Sequence, residues 1–271
     1  MKSNWPIIVC LFLGLATICP ESLRAQSGCQ DFLQRMNQIH RDNFYTNYRD
    51  LADYTQFLGL DFDSALAALR PHEIWLDAGA GAGVALQEYL NLYPQGGKVV
   101  GLGITYPTQD ALQRPWPRPL ELANPAEQRL AYVEGYLEDL PRQKLQVFGT
   151  HYQLITDVFG PMMYSPYPDQ VLQIYGELLA PDGMVMLLID MHNLHLVDSS
   201  MATLAVQDWF LKMEGLELVE DPMIFQERTA EIFLAVILRR TYALLKIPPL
   251  QPLWPYFRVG CPPGRCYRLD D

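Results

Sequence analysis

Asp77-Ala-Gly79-Ala-Gly81-Ala-Gly83 sets a carboxylate ahead of glycine at every second position. Glycine has no Cβ and enters backbone conformations closed to other residues, so a ligand can approach such a run closely. The carboxylate adds an acceptor for a donor group on that ligand. Ile74, Trp75 and Leu76 before the run read as a short buried strand, and residues 84–92 after it as a helix. A strand that turns straight into a helix offers the helix's first N–H groups, and open α/β sheets bind ligands at such turns. The chemistry on offer is recognition of a small polar molecule by main chain and one acid.

Spacing narrows the ligand. The dinucleotide pattern G-x-G-x-x-G/A fails, because Val84 or Leu86 falls in its last place, and no Gly-Lys-Ser/Thr triplet exists for a phosphate loop. D-x-G-x-G fits. In this the segment resembles the first motif of class I S-adenosylmethionine-dependent methyltransferases. The resemblance implies that S-adenosylmethionine is the cofactor, that Asp77 helps hold its methionine end, and that Gly79, Ala80, Gly81 and Gly83 pack against it.

Three further segments are similar to the same family. In Gly135-Tyr-Leu-Glu-Asp-Leu-Pro141, the resemblance places Tyr136 and Leu137 near the adenine. In Ile155-Thr-Asp-Val-Phe-Gly160, it places Asp157 beside the transferred methyl. Leu179-Ala-Pro-Asp-Gly-Met184 resembles the family's Leu-x-Pro-Gly-Gly turn. Methyl transfer from a sulfonium needs alignment and sometimes a base. Asp157 is the first choice for that base, and Tyr164 follows as an acceptor-binding or acid–base group. The residues alone equally allow Asp157 to hold a loop and Tyr164 to pack.

Two positions depart from the family. Its second strand ends in an acid for the ribose hydroxyls, whereas here Gly103 stands there and residues 91–109 contain no carboxylate. Thr105 or Asp110 could substitute. Loss of a charge-assisted acceptor costs about 1.5–3 kcal/mol unless replaced. Near the adenine the usual Asp-Ala pair is Tyr136-Leu137, leaving Glu138 or Asp139 to accept from the amino group. Gly103→Asp then has two expected outcomes. It tightens binding if the site is merely weakened, and it costs stability if the space is filled.

The elements around these residues alternate. Strands are predicted near residues 74–76, 98–104, 130–134, 152–159, 184–189, 216–220 and 231–240, with helices near 84–92, 168–179 and 202–213. That order predicts an α/β fold with a mostly parallel, doubly wound sheet, its last two strands forming a hairpin. The family's seven-stranded, Rossmann-like architecture is the same, and the resemblance spans residues 73–241. Residues 26–72 carry an apolar stripe at helical spacing and predict one or two helices, over the pocket or packed on the sheet. Residues 106–129, with Pro107, Pro115, Pro117, Pro119 and Pro125, read as a long loop. A proline-rich tail, 242–271, lies outside the resemblance.

Charge and cysteines bear on partners and compartment. With net charge −11, the chain lacks the basic face that nucleic acid requires, so a small-molecule acceptor is expected. Residues 1–25 have the layout of a secretory signal, with cleavage after Ala25. An uncleaved anchor is the alternative, and Ser27-Gly28-Cys29 leaves room for lipidation of Cys29. Membrane contact is otherwise not expected. Cys261-Pro-Pro-Gly-Arg-Cys266 suggests a local disulfide outside the cytoplasm. Cys29 remains free, lipidated or paired with the tail. No zinc spacing occurs, and Asp190, His192, His195 and Asp198 read as ordinary loop residues ahead of a metal site. The oligomeric state is open. The expectation is an exported S-adenosylmethionine-dependent methyltransferase, and its alternative a non-catalytic binding or scaffold protein on the same fold.

Overall fold

The computed structural model describes residues 49–103, 129–191, 194–228, 231–253 and 266–269. Asp50 opens the first helix, α1 (Leu51–Leu58), through a capping box: its carboxylate accepts from Asp53 N–H, and the Asp53 carboxylate accepts from Asp50 N–H. Gly59, at φ 77°, separates α1 from α2 (Leu60–Ala68). Strand β1 (Ile74–Ala78) follows, then α3 (Val84–Leu92), β2 (Lys98–Gly103) and β3 (Leu130–Glu134). After a short α4 (Arg142–Leu145) come β4 (Tyr152–Val158), α5 (Pro161–Tyr164), α6 (Pro168–Leu178) and β5 (Leu179–Asp190). The rest is β6 (His195–Val197), β7 (Thr203–Leu204), α7 (Val206–Leu211), β8 (Leu216–Leu218), β9 (Met223–Arg228), β10 (Glu231–Arg240), β11 (Leu250–Pro252) and β12 (Cys266–Leu269).

The main sheet runs β3-β2-β1-β4-β5-β10-β8, with β9 also on β10. Strands β1 to β5 are parallel and β10 is antiparallel to β5. This is the doubly wound, methyltransferase-type sheet expected from the sequence. Its edge differs from expectation. Beyond β10 the edge comes in two pieces, with β9 against residues 231–235 and β8 against residues 238–240. Asp221-Pro222 lies between the pieces, and proline has no N–H to give to a ladder.

Alternation along the strands sorts two cores. Trp75 joins Tyr54, Phe62, Leu86, Tyr89 and Tyr132 on the face covered by α1, α2 and α3. Ile74, Leu76 and Ala78 join Leu172, Tyr175, Trp209 and Phe210 on the face covered by α6 and α7. The helix predicted over 202–213 is shortened to α7, because Thr203 and Leu204 pair with β6 instead. The Asp198 carboxylate fixes that turn by accepting from Ser200 N–H and Ala202 N–H. Strand β5 starts earlier than predicted, since Leu179 already pairs with Tyr152 ahead of a register shift.

The tail is part of the packed body. Strand β12 adds in parallel to β6, β11 pairs antiparallel with β12, and the second sheet runs β11-β12-β6-β7. Leu250, Tyr267 and Leu269 are buried in the same cluster as α6 and β5. The signal-like segment, Cys29, Cys261, His192 and the proline-rich loop lie outside the described residues, as does any helix before residue 49.

Candidate functional site

Parallel strands β2, β1 and β4 end at the same edge, and the chain's path reverses direction across β1 and β4. In such sheets this is where ligands bind. The run from Gly79 to Gly83 lies there. Gly79, Gly81 and Gly83 have φ of 102°, 54° and 69°, conformations that side chains with a Cβ rarely adopt. Gly79 is also a close-approach position: a Cβ on it would stand 2.6 Å from Gly160 Cα, where the turn after β4 meets the turn after β1. Several donors of the turn serve the fold itself. Gly79 N–H and Ala80 N–H both donate to Leu102 O, Gly83 N–H donates to Ala80 O, and Ala85 N–H at the helix start donates to Arg49 O.

Asp77 is fully buried on the α1 face. Its carboxylate accepts from Tyr54 Oη at 2.7 Å and from Thr156 Oγ1 at 2.9 Å, and Thr156 in turn accepts from Trp75 Nε1 at 2.8 Å. Burial pushes Asp77 up to about 6, opposed by the Tyr54 hydrogen bond, the Arg49 charge and the Thr156 hydrogen bond. Tyr54 is itself raised well above its ordinary value, by burial first and the Asp77 charge next. Arg49 stands at the mouth of the turn. Its Nη2 donates to Gly79 O at 2.5 Å, its guanidinium lies 5.7 Å from the Phe159 ring centre, and its Nε is buried without a hydrogen-bond partner.

Asp157 lies on the opposite face, buried, with both oxygens engaged. Oδ1 accepts from Gly160 N–H at 2.8 Å, and Oδ2 accepts from Met162 N–H at 2.9 Å and Tyr175 Oη at 2.6 Å. Burial raises it to about 7, against the Tyr175 bond and the two backbone donors. This is the loop-holding arrangement: the carboxylate ties β4 to α5 and α6. Tyr164 ends α5, and its side chain lies outside the described residues.

At the end of β2, Gly103 O accepts from Gly135 N–H at 2.9 Å, which brings Gly103, Tyr136 and Leu137 to the same edge. The Leu137 side chain is fully buried in the α6-side core. Tyr136 is half-buried and Asp139 exposed. Glu138, raised by burial, lines a cavity of about 300 Å³ with Arg142 and Asp169. The space beside Gly103 is filled by Tyr132, whose hydroxyl donates to Gly81 O at 3.0 Å.

Sequence reasoning missed Arg49, Tyr54, Tyr132 and Phe159. One signal was available. Gly101 and Gly103, two apart on a strand, leave one face without Cβ atoms, which marks a close approach from a neighbour. Phe159 carries another mark only in structure. Its φ of 56° is rare for a bulky residue, and its ring is T-stacked on Phe57 at 5.6 Å and Phe233 at 5.3 Å. Among the described residues no group of three His, Cys, Asp or Glu could hold a metal.

No family model matches the chain, and no curated protein matches its sequence. Among solved structures it is similar to N-methyltransferase NodS from Bradyrhizobium japonicum WM9 in complex with S-adenosyl-L-homocysteine, with 15% identity over 79% of this chain and 98% of that one (TM-score 0.46). It is also similar to an rRNA methylase from Streptococcus thermophilus, with 14% identity over 68% of this chain and 96% of that one (TM-score 0.41). The antibiotic-resistance methyltransferase Kmr is similar at 14% identity over 66% of this chain and 92% of that one (TM-score 0.40).

Proposed function

We propose that the protein is a class I S-adenosylmethionine-dependent methyltransferase acting on a small, largely apolar acceptor. The observation that carries the reading is the Asp77-to-Gly83 turn, with three left-handed glycines and a buried acid, at the switch point of a 3-2-1-4-5 sheet. The residues fit S-adenosylmethionine at its methionine end. Asp77 supplies negative charge below the turn, and Arg49, with its buried unpaired Nε, supplies a cation for the ligand's carboxylate. When bound, the cofactor supplies an electrophilic methyl, and the chain's task is to align an acceptor with it. Ala85 N–H donates to Arg49 O, which holds the start of α1 against the turn.

An apolar cavity of about 360 Å³ at the end of β5 supports the acceptor class. Met191, Leu194, Leu196, Val206 and Leu234 line it, with His195 among the few polar groups. Its size and lining suit a small molecule, and the acidic chain does not suit RNA. Export is part of the same reading. The signal-like start supports it, and so does the spacing of Cys261 and Cys266, which suits a local disulfide outside the cytoplasm.

Calorimetry with S-adenosylmethionine and S-adenosylhomocysteine on the mature chain tests the proposal. Saturable binding, weaker than is usual for the family, is expected, and Gly81→Val should abolish it. Binding that survives Gly81→Val moves the site elsewhere. A second reading, a non-catalytic binding protein, is favoured by Tyr132 beside Gly103 and by Tyr54 on Asp77. It predicts no saturable binding of either nucleoside by a folded chain.

A further inference from the structure

We infer that Tyr132 is the specificity-determining residue of this site, standing where a ribose-binding carboxylate would reach, so that the nucleoside is read without its vicinal hydroxyls. The inference rests on the reading of the glycine turn as an S-adenosylmethionine site. Rossmann-type sites carry an acid about twenty residues after the glycine turn, which accepts from a ribose hydroxyl. Here the end of β2 is Gly103, and the glycine is a requirement of packing. A Cβ on Gly103 would stand 1.9 Å from Tyr132 Oη and 2.9 Å from its ring Cζ. A Cβ on Gly101 would meet the same ring at 2.8 Å.

The strand register explains the geometry. Gly101 is level with Tyr132 and Gly103 with Glu134, so the tyrosine leans along β2 over both glycines to reach Gly81 O. The ring is buried, and its hydroxyl ties the glycine turn to β3. No carboxylate can occupy position 103 while the ring is there. The nucleoside therefore meets a phenol where other such sites present a bidentate anion. A carboxylate that accepts from ribose loses roughly tenfold or more in affinity for each hydroxyl removed. Among the described residues Tyr132 is what stands at that position, and a site that reads the nucleoside through it should be almost indifferent to that removal.

The test is calorimetry of the full mature chain with S-adenosylhomocysteine and with its 2′-deoxy and 3′-deoxy analogues. The expected result is three affinities within about threefold of one another, since position 103 has no charged hydrogen bond to lose. In the double variant Tyr132→Ala with Gly103→Asp, the parent should gain a preference of roughly tenfold or more over each analogue. Gly103→Asp alone should lower the melting temperature, and Tyr132→Ala should recover part of the loss. A wild-type preference of roughly tenfold or more for the parent overturns the inference while leaving the cofactor reading intact. Its disappearance in Glu134→Gln would then assign the hydroxyls to Glu134, which is exposed on β3 level with Gly103. Absence of any saturable binding by a folded chain overturns the cofactor reading and the inference with it.

Discussion

Replacing Asp157 separates a structural carboxylate from a catalytic one. Three buried donors converge on it: Gly160 N–H at 2.8 Å, Met162 N–H at 2.9 Å and Tyr175 Oη at 2.6 Å. Asp157→Ala leaves all three without an acceptor, and an unsatisfied buried donor costs about 1–3 kcal/mol. Partial relaxation and water entry lower the sum, so a loss of about 4 kcal/mol is expected, a large share of the roughly 5–15 kcal/mol that holds a domain together. Asp157→Asn keeps one acceptor oxygen and turns an amide towards one of the donors. It should cost only about 1–2 kcal/mol, the scale of one misplaced hydrogen bond. Tyr175→Phe removes a single donor and should cost about 1 kcal/mol.

Urea unfolding of the four proteins supplies the free energies, and calorimetry on the folded fraction shows whether S-adenosylhomocysteine still binds. The expected pattern is a graded loss of stability, with ligand affinity per folded molecule unchanged in Asp157→Asn. Two results would refute the reasoning. One is an Asp157→Ala protein within about 1 kcal/mol of wild type, below the cost of even one orphaned donor. The other is an Asp157→Asn protein of full stability that binds cofactor but has lost methyl transfer, which would make Asp157 the base.

Stability should fall as pH rises between about 4 and 7. Asp77 and Asp157 are raised from 3.8 to about 6 and about 7, so folding favours their neutral forms, and that contribution is present at low pH and lost as pH passes the folded values. Melting temperatures at pH 5 and pH 8, for wild type and the two Asn variants, check this, and each Asn variant should show a shallower slope. Gly160→Ala should be among the most damaging small substitutions. Its Cβ would lie 2.0 Å from Ala78 O and 2.6 Å from Asp157 Oδ1, both inside the sheet edge, for a loss of about 3 kcal/mol or more in urea unfolding. Intact mass spectrometry of protein from its native host, with and without reductant, should give a chain beginning near Gln26, or at a lipidated Cys29, with Cys266 oxidised. A full-length, fully reduced chain would contradict export. Reduction should loosen β12 before the main sheet, at a cost of at most about 3 kcal/mol if the bridge closes the short loop to Cys261.

The order of elements was legible because it is a local property. Apolar alternation marks a strand, helical spacing marks a helix, and the glycine run marks the turn between β1 and α3, all within windows of a few residues. The same windows placed Asp77, Gly79, Gly81 and Gly83 at the sheet's carboxyl edge, and Gly103 at the end of β2. What surrounds these residues was not local. Tyr54 meets Asp77 across 23 positions, Tyr132 meets Gly81 across 51, and Thr156 meets Asp77 across 79. Such pairs are set by strand register and by where a crossover returns the chain, and no short-range spacing encodes either. The absence of an acid at position 103 could be read from the sequence, but that a tyrosine two strands from β1 fills the space could not. Asp157 shows the same division. Its place at the end of β4 followed from the pattern, and two of its donors, Gly160 N–H and Met162 N–H, are local, whereas the third, Tyr175 Oη, is brought from α6 across 18 positions by the way that helix packs on the sheet.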